Sequence, residues 1–212
     1  VIVNVAVQAF RFAAEPFFFS HAADKNSPEL FAKVNHYFII VCGFIVLSVV
    51  VHLDWLRYLI DAAYWEGLPV VPYLLFGYLF LGVYYNLSIW YKLTDRTYFG
   101  TLITVLGMVI TVVLNYLLIP YAGYVGSSVA TLACYFAMAV MSYALGQRYF
   151  PIPYPVGAGL FYLAMTVALI FTSVLFVPGN PYAAFLFHCL LMAVYLAVAY
   201  FRAAEGFRSA NL

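Results

Sequence analysis

The run 97–147 reads TYFGTLITVLGMVITVVLNYLLIPYAGYVGSSVATLACYFAMAVMSYALGQ and contains no Asp, Glu, Lys or Arg. A helix needs about 20 apolar residues to cross the roughly 30 Å hydrocarbon layer of a bilayer, so this run is too long for one span. Pro120-Tyr-Ala-Gly123 lies near its middle and is a turn signal. The run therefore predicts two membrane-spanning helices, at about 98–119 and 124–147.

The rest of the chain has the same apolar character. Pro178-Gly-Asn-Pro181 divides a second long uncharged stretch in the same way. The spans predicted outside the central run are a partial one at 1–19 and full ones at 34–53, 69–91, 156–177 and 182–201. We therefore expect an all-α membrane protein, a polytopic bundle with six full spans and one partial span.

The composition excludes several classes of protein. Of the 212 residues, 67% are hydrophobic and only 8% are charged, whereas a soluble domain has about 25% charged residues. The net charge of +1 gives no reason to expect a nucleic-acid partner. Cys42, Cys134 and Cys189 lie in apolar runs without a metal-binding spacing, so we interpret them as small buried hydrophobic residues and expect no metal or cofactor.

The basic residues divide unequally between the predicted loops. If successive spans alternate in direction, one side of the membrane holds segments 20–33, 92–97, 146–155 and the C-terminal tail. That side carries seven Lys and Arg residues, and the other side carries only Arg57. Basic residues accumulate in cytoplasmic loops, so this pattern predicts a cytoplasmic C-terminus.

Gln8, Arg11 and Glu15 share one face of the first helix, since their spacings are three, four and seven. If that helix leaves the bilayer near Phe19, Arg11 lies roughly 12 Å deep. An Arg at such a depth costs about 2.5–3.5 kcal/mol on insertion scales and is tolerated mainly beside a water-filled cavity or a partner. We predict that Arg11 binds an anionic, phosphate-bearing substrate and that Glu15 orients it or takes up a proton. The alternative is an i,i+4 ion pair that only satisfies itself.

A second group lies at the predicted cytoplasmic end of the third span. Asn86 and Trp90 are four residues apart, so they are expected to share a face and to contribute to substrate binding. Lys92 and Arg96 follow them and are interpreted mainly as headgroup-level topology markers. His188 in the last span is interpreted as a buried histidine with its hydrogen bonds satisfied, rather than as a proton relay.

Motifs of catalysis are missing from the sequence. It has no Walker A loop, HExxH or GxSxG and no hydrophilic segment of domain size, so we expect a protein that is not an enzyme. The chain begins with Val1 inside an apolar helix. We therefore expect an N-terminal part that precedes this sequence.

Five segments carry a family resemblance: QAFRFAAEPFFF at 8–19, the loop 25–33, WEGLPVVP at 65–72, YNLSIWYKLTD at 85–95 and NYLLIPYAGYVGS at 115–127. In this order they resemble bacterial polysaccharide biosynthesis proteins, the oligosaccharide flippases of the multidrug/oligosaccharidyl-lipid/polysaccharide exporter superfamily. The resemblance extends from the first residue to about Pro155.

The resemblance implies a fourteen-helix, MATE-like fold of two six-helix lobes plus two extra C-terminal helices. Residues 1–150 would belong to the C-terminal lobe, as a partial helix and four full spans, and 151–212 would form the two extra helices and a cytoplasmic tail. The implied function is the flipping of undecaprenyl-diphosphate-linked oligosaccharide across the bacterial inner membrane for surface polysaccharide synthesis. The implied partners are that lipid-linked oligosaccharide, the membrane lipids and the N-terminal half of the same polypeptide.

The sequence is also compatible with two other functions. A cation-coupled drug or metabolite antiporter of the same superfamily would need acidic coupling residues, and only Glu15 qualifies. A non-transporting membrane scaffold protein would instead keep Arg11 and Glu15 as an occluded pair without access to water.

Overall fold

A computed structural model describes residues 2–209, and every regular element in that range is a helix. The α-helices are α1 (Ile2–Ser20), α2 (Ser27–Val51), α3 (Leu53–Leu56), α4 (Val71–Leu87), α5 (Ile89–Leu93), α6 (Tyr98–Tyr149), α7 (Val156–Leu175) and α8 (Pro181–Ser209). Short 3₁₀ helices at Arg57–Leu59 and Ala62–Val70 connect α3 to α4. The predicted all-α class is confirmed.

Five helical segments in the described range are long and apolar enough to cross a membrane. They are Ser27–Val51, Ala62–Leu93, Tyr98–Tyr149, Val156–Leu175 and Pro181–Ala204. Large apolar side chains cover much of the outer surface, as on α6, where Met108 is 58% exposed and Val112 is 63% exposed. A surface of this kind is stable against lipid rather than water, because exposed apolar area is unfavourable in water.

The 52 residues of α6 form two helical arms that are separated by one break, so this element is a helical hairpin. At Gly123 the backbone has φ +52° and ψ −132°, a conformation that glycine adopts more readily than other residues. Beyond the break the two arms run antiparallel, since Gly126 lies against the Leu118 carbonyl and Cys134 Sγ donates to the Gly107 carbonyl at 3.2 Å. The predicted division of this run is confirmed, and the five segments therefore contain six of spanning length.

A turn that ends α5 places the start of α6. The Arg96 N–H donates to the Tyr91 carbonyl at 2.9 Å and the Thr94 N–H donates to the Trp90 carbonyl. Asp95 between them has φ +55°. This is a Schellman-type helix end, in which a residue in the left-handed region reverses the chain and satisfies the last carbonyls.

Helix α4 lies at the centre of the bundle and packs against α6, α2 and α1. Its buried residues surround the whole helix and include Leu75, Gly77, Leu81 and Val83. A helix that is apolar all round is expected to be buried. Helices α7 and α8 pack against each other and against the opposite side of α2.

Two of the three cysteines are buried as predicted, and the third is not. Cys42 and Cys134 lie in the interior, whereas Cys189 is exposed on α8. The prediction for Cys189 was wrong because an apolar helix that faces lipid exposes about half of its residues. The spacing of apolar residues does not show which half is exposed when nearly all of them are apolar.

Candidate functional site

Glu15 joins two cations that come from different parts of the chain. Its Oε1 accepts a hydrogen bond from Arg11 Nε at 3.1 Å and from Lys92 Nζ at 2.6 Å. Arg11 and Glu15 lie on α1, and Lys92 lies near the end of α5. We refer to Arg11, Glu15 and Lys92 as the charged cluster. With two cations and one carboxylate, it carries a net charge of +1.

The position of Arg11 on α1 directs it toward the bundle. The buried stripe of this helix contains Val3, Val7, Ala14 and Phe18. Arg11 lies four residues after Val7 and three before Ala14, so it occupies the same stripe. A residue on that stripe faces α4, against which α1 packs.

Tyr85 of α4 receives the guanidinium. The Arg11 Cζ atom lies 4.5 Å from the centroid of the Tyr85 ring. A guanidinium over an aromatic face is stabilised by the ring quadrupole, by about 0.5–2 kcal/mol depending on exposure. The bond to Glu15 uses Nε, so that carboxylate does not occupy the donors on the terminal nitrogens of Arg11.

The charged cluster is open on one side. The Arg11, Glu15 and Lys92 side chains are 37%, 35% and 25% exposed. Groups with this exposure can meet a ligand without unfolding α1. The same exposure means that the ion pairs are partly weakened by their surroundings wherever water reaches them.

The predicted site residues separate into two sets. Arg11 and Glu15 are brought together, and Gln8 lies half-buried on the same helix. Among the described residues, Gln8 makes no hydrogen bond to Arg11 or Glu15. Asn86 and Trp90 are 3% and 1% exposed, and their side chains bond to other helices rather than to the charged cluster.

Asn86 and Trp90 contact different helices. Asn86 Nδ2 donates to Asn35 Oδ1 of α2 at 3.4 Å, whereas Trp90 Nε1 donates to the Ser142 carbonyl of α6 at 3.1 Å. Ser88 forms a turn between the two residues, where α4 ends and α5 begins. Asn86 and Trp90 therefore bond to different neighbouring helices, and both residues have packing partners within the bundle.

The contact of Lys92 with Glu15 was not predicted from the sequence. The position of Lys92 at the end of a span predicts a headgroup-level marker, but its ammonium bonds to Glu15, 77 residues earlier in the chain. No local spacing connects residues so far apart. The available signal was charge: the first helix and the end of the third span each carry ionisable residues next to apolar segments, and such residues pair when they are buried.

His188 differs from its prediction. The side chain is 5% exposed, but neither ring nitrogen has a hydrogen-bond partner in the described part of the chain. Its ring packs against His52 of the loop after α2, with ring centroids 5.6 Å apart. The predicted burial of His188 is confirmed, whereas the prediction that its ring nitrogens are hydrogen-bonded is wrong.

Comparison with known proteins adds no relative: no protein-family model, curated protein or solved structure matches the chain.

Proposed function

We propose that the chain is part of a polytopic membrane transporter that flips a lipid-linked oligosaccharide across the bacterial inner membrane. In this proposal the substrate is an undecaprenyl-diphosphate-linked sugar unit, and the protein performs no chemistry on it. The MATE-like fold, the two lobes and the contribution of an N-terminal half belong to the same proposal and rest on the sequence resemblance.

The observation that supports the proposal is the charged cluster with its net charge of +1. An ion pair that only satisfied itself would consist of Arg11 and Glu15 and would be neutral. Here Lys92 supplies a second cation to the same Glu15 oxygen, so one positive charge is left over in an otherwise apolar bundle. Such a charge is costly in lipid unless an anion or water meets it.

A diphosphate is a suitable anion for this cluster. Arg forms paired hydrogen bonds with phosphate oxygens because its donors form a planar fork. The Tyr85 ring covers one face of the guanidinium, and Glu15 bonds only to its Nε. Arg11 would bind the phosphate, Glu15 would hold Arg11 in position, and Lys92 would supply the second charge. The isoprenoid tail would remain in lipid beside the bundle. Alternating access by a rocking motion of two lobes is the expected mechanism.

The cation-coupled antiporter is less well supported. A coupling carboxylate has to bind and release a proton or a metal cation during each cycle. Glu15 already accepts hydrogen bonds from two cations, which favours its charged form and opposes protonation. An imposed proton or sodium gradient that drives uptake, with loss of uptake in Glu15→Gln, would support the antiporter instead.

The test is Arg11→Gln in the full-length protein, assayed by surface polysaccharide and by membrane abundance. A charge-assisted hydrogen bond contributes about 1.5–3 kcal/mol, so loss of one such bond predicts a drop in export of about 10- to 100-fold at 1.4 kcal/mol per factor of ten. Arg148→Gln is the matched control, because Arg148 is exposed and lies over the Tyr149 ring away from the cluster. Normal polysaccharide with normal abundance in Arg11→Gln would remove the assigned role.

A further inference from the structure

A cleft that none of the charged-cluster residues lines lies between α2, α7 and α8. Its volume is about 720 Å³. Polar and charged groups reach it from three helices: His36 and Tyr37 from α2, Tyr162 from α7, and Tyr200 and Arg202 from α8. None of the residues that line it is an Asp or a Glu.

Arg202 gives the cleft its positive charge. Its Cζ atom lies 3.8 Å from the centroid of the Phe161 ring, so one face of the guanidinium is covered by an aromatic ring. Among residues 3–204, whose side chains the structure describes, no carboxylate lies within ion-pair distance of Arg202. This distinguishes Arg202 from Arg11 and Arg57, which each pair with a carboxylate.

Two further polar groups of the cleft are available to a ligand. Tyr37 and Tyr200 are exposed, Tyr200 by 71%, and their phenol groups can donate hydrogen bonds. His36 Nδ1 is buried and has no hydrogen-bond partner in the described part of the chain. A buried nitrogen of this kind costs free energy unless something bonds to it.

The cleft lies at one end of the bundle. The His36 ring packs against Tyr162 near the start of α7, while His52 at the other end of α2 packs against Phe185 near the start of α8. The cleft is therefore near the first turns of α7 and the last turns of α8, beside the third and fourth turns of α2. The adjoining segments 20–33, 146–155 and the C-terminal tail are those that the distribution of basic residues assigns to the cytoplasmic side.

We propose that this cleft binds the phosphate headgroup of an anionic phospholipid from the surrounding leaflet. The proposal rests on insertion in a membrane and does not depend on the flippase function. Basic pockets between membrane-spanning helices near the cytoplasmic surface are suited to such headgroups. Arg202 binds the phosphate oxygens, and Tyr37 and Tyr200 donate to them or to the ester carbonyls.

The walls of the cleft favour a lipid over a free anion. Ile40 and Leu196 line it together with alanines, and the outer surface of α8 next to it is apolar, with Leu196 50% exposed and Phe201 66% exposed. An acyl chain that leaves the headgroup can lie along this surface and bury apolar area, which a free phosphate cannot do.

The experiment measures lipid binding to the full-length protein in detergent, by native mass spectrometry or a fluorescence titration. Phosphatidylglycerol, phosphatidylethanolamine and inorganic phosphate are compared on wild type, Arg202→Gln and Arg96→Gln. Arg96 is the matched control, because it is exposed, lies over the Tyr149 ring and does not line the cleft. We expect about tenfold weaker phosphatidylglycerol binding in Arg202→Gln, which corresponds to the loss of one charge-assisted interaction, and a change of less than about twofold in Arg96→Gln.

Wild-type protein alone already tests the proposal, so a poorly folding variant leaves it falsifiable. Equal affinity for phosphatidylglycerol and phosphatidylethanolamine would overturn the choice of an anionic headgroup. Displacement of phosphatidylglycerol by inorganic phosphate at equal concentration would show a site for free anions instead of lipid. Equal losses in Arg202→Gln and Arg96→Gln would show a general surface charge effect and would also overturn it.

Discussion

Glu15→Gln removes the carboxylate that holds Arg11 and Lys92 together. Two charges 4 Å apart interact by about 4 kcal/mol at an effective dielectric constant of 20. The three side chains are between a quarter and two fifths exposed, with values of 37%, 35% and 25%, so each pair is discounted to about 1 kcal/mol. The two pairs together predict a loss of about 2 kcal/mol. For a domain of this size that lowers Tm by about 4–8 °C.

The assay is thermal unfolding of the purified protein in detergent, with a double-mutant cycle of Glu15→Gln and Lys92→Gln. We expect a coupling free energy of about 1 kcal/mol between the two positions, because they share one hydrogen-bonded ion pair. Asp54→Asn is the control, since the Asp54–Arg57 pair is long at 3.9 Å and Asp54 is 80% exposed. A Tm in Glu15→Gln within about 1 °C of wild type, or additive single losses, would refute a stabilising cluster.

Two further predictions concern the packing of the bundle. Gly126→Ala should destabilise the protein by about 1–3 kcal/mol in the same unfolding assay, because a Cβ there would lie 2.6 Å from the Leu118 carbonyl oxygen. Gly67→Ala is the control: Gly67 has open space around it, so the free energy of unfolding should stay within about 0.5 kcal/mol of the wild-type value. Tyr154→Phe should raise Tm, because the Tyr154 hydroxyl is buried without a partner among the described residues, whereas Tyr195→Phe should lower it by removing the bond to the Ile40 carbonyl. Burial raises the pKa of Tyr154, so the folded protein holds the phenolic proton more tightly than the unfolded chain does, and stability declines as the pH rises above the ordinary phenol pKa of about 10. An alkaline Tm profile with the same slope in Tyr154→Phe would contradict this.

Local chemistry made part of the structure predictable. The break in the long uncharged run followed from a proline and a glycine three residues apart, and Gly123 does carry the positive φ. The Arg11–Glu15 pair followed from a spacing of four on one helix, which fixes neighbours without knowledge of the fold. Both features depend on residues within one helical turn of each other.

Features that depend on tertiary packing were not predictable in the same way. The bond from Lys92 to Glu15 needs the packing of α5 against α1, and spacing does not encode it. The helices that Asn86 and Trp90 contact depend on how α2 and α6 surround α4. Among uniformly apolar spans, periodicity says little about which face meets which neighbour, because almost every face is apolar.

The most direct measurement is the rate at which proteoliposomes containing the full-length protein move a labelled polyprenyl-diphosphate oligosaccharide between leaflets. Arg11→Gln is expected to slow this movement about 10- to 100-fold, while Arg11→Lys, which keeps the charge but loses the fork of donors, is expected to give an intermediate rate. Equal rates in wild type and Arg11→Gln, with equal amounts of folded protein in the vesicles, would contradict it.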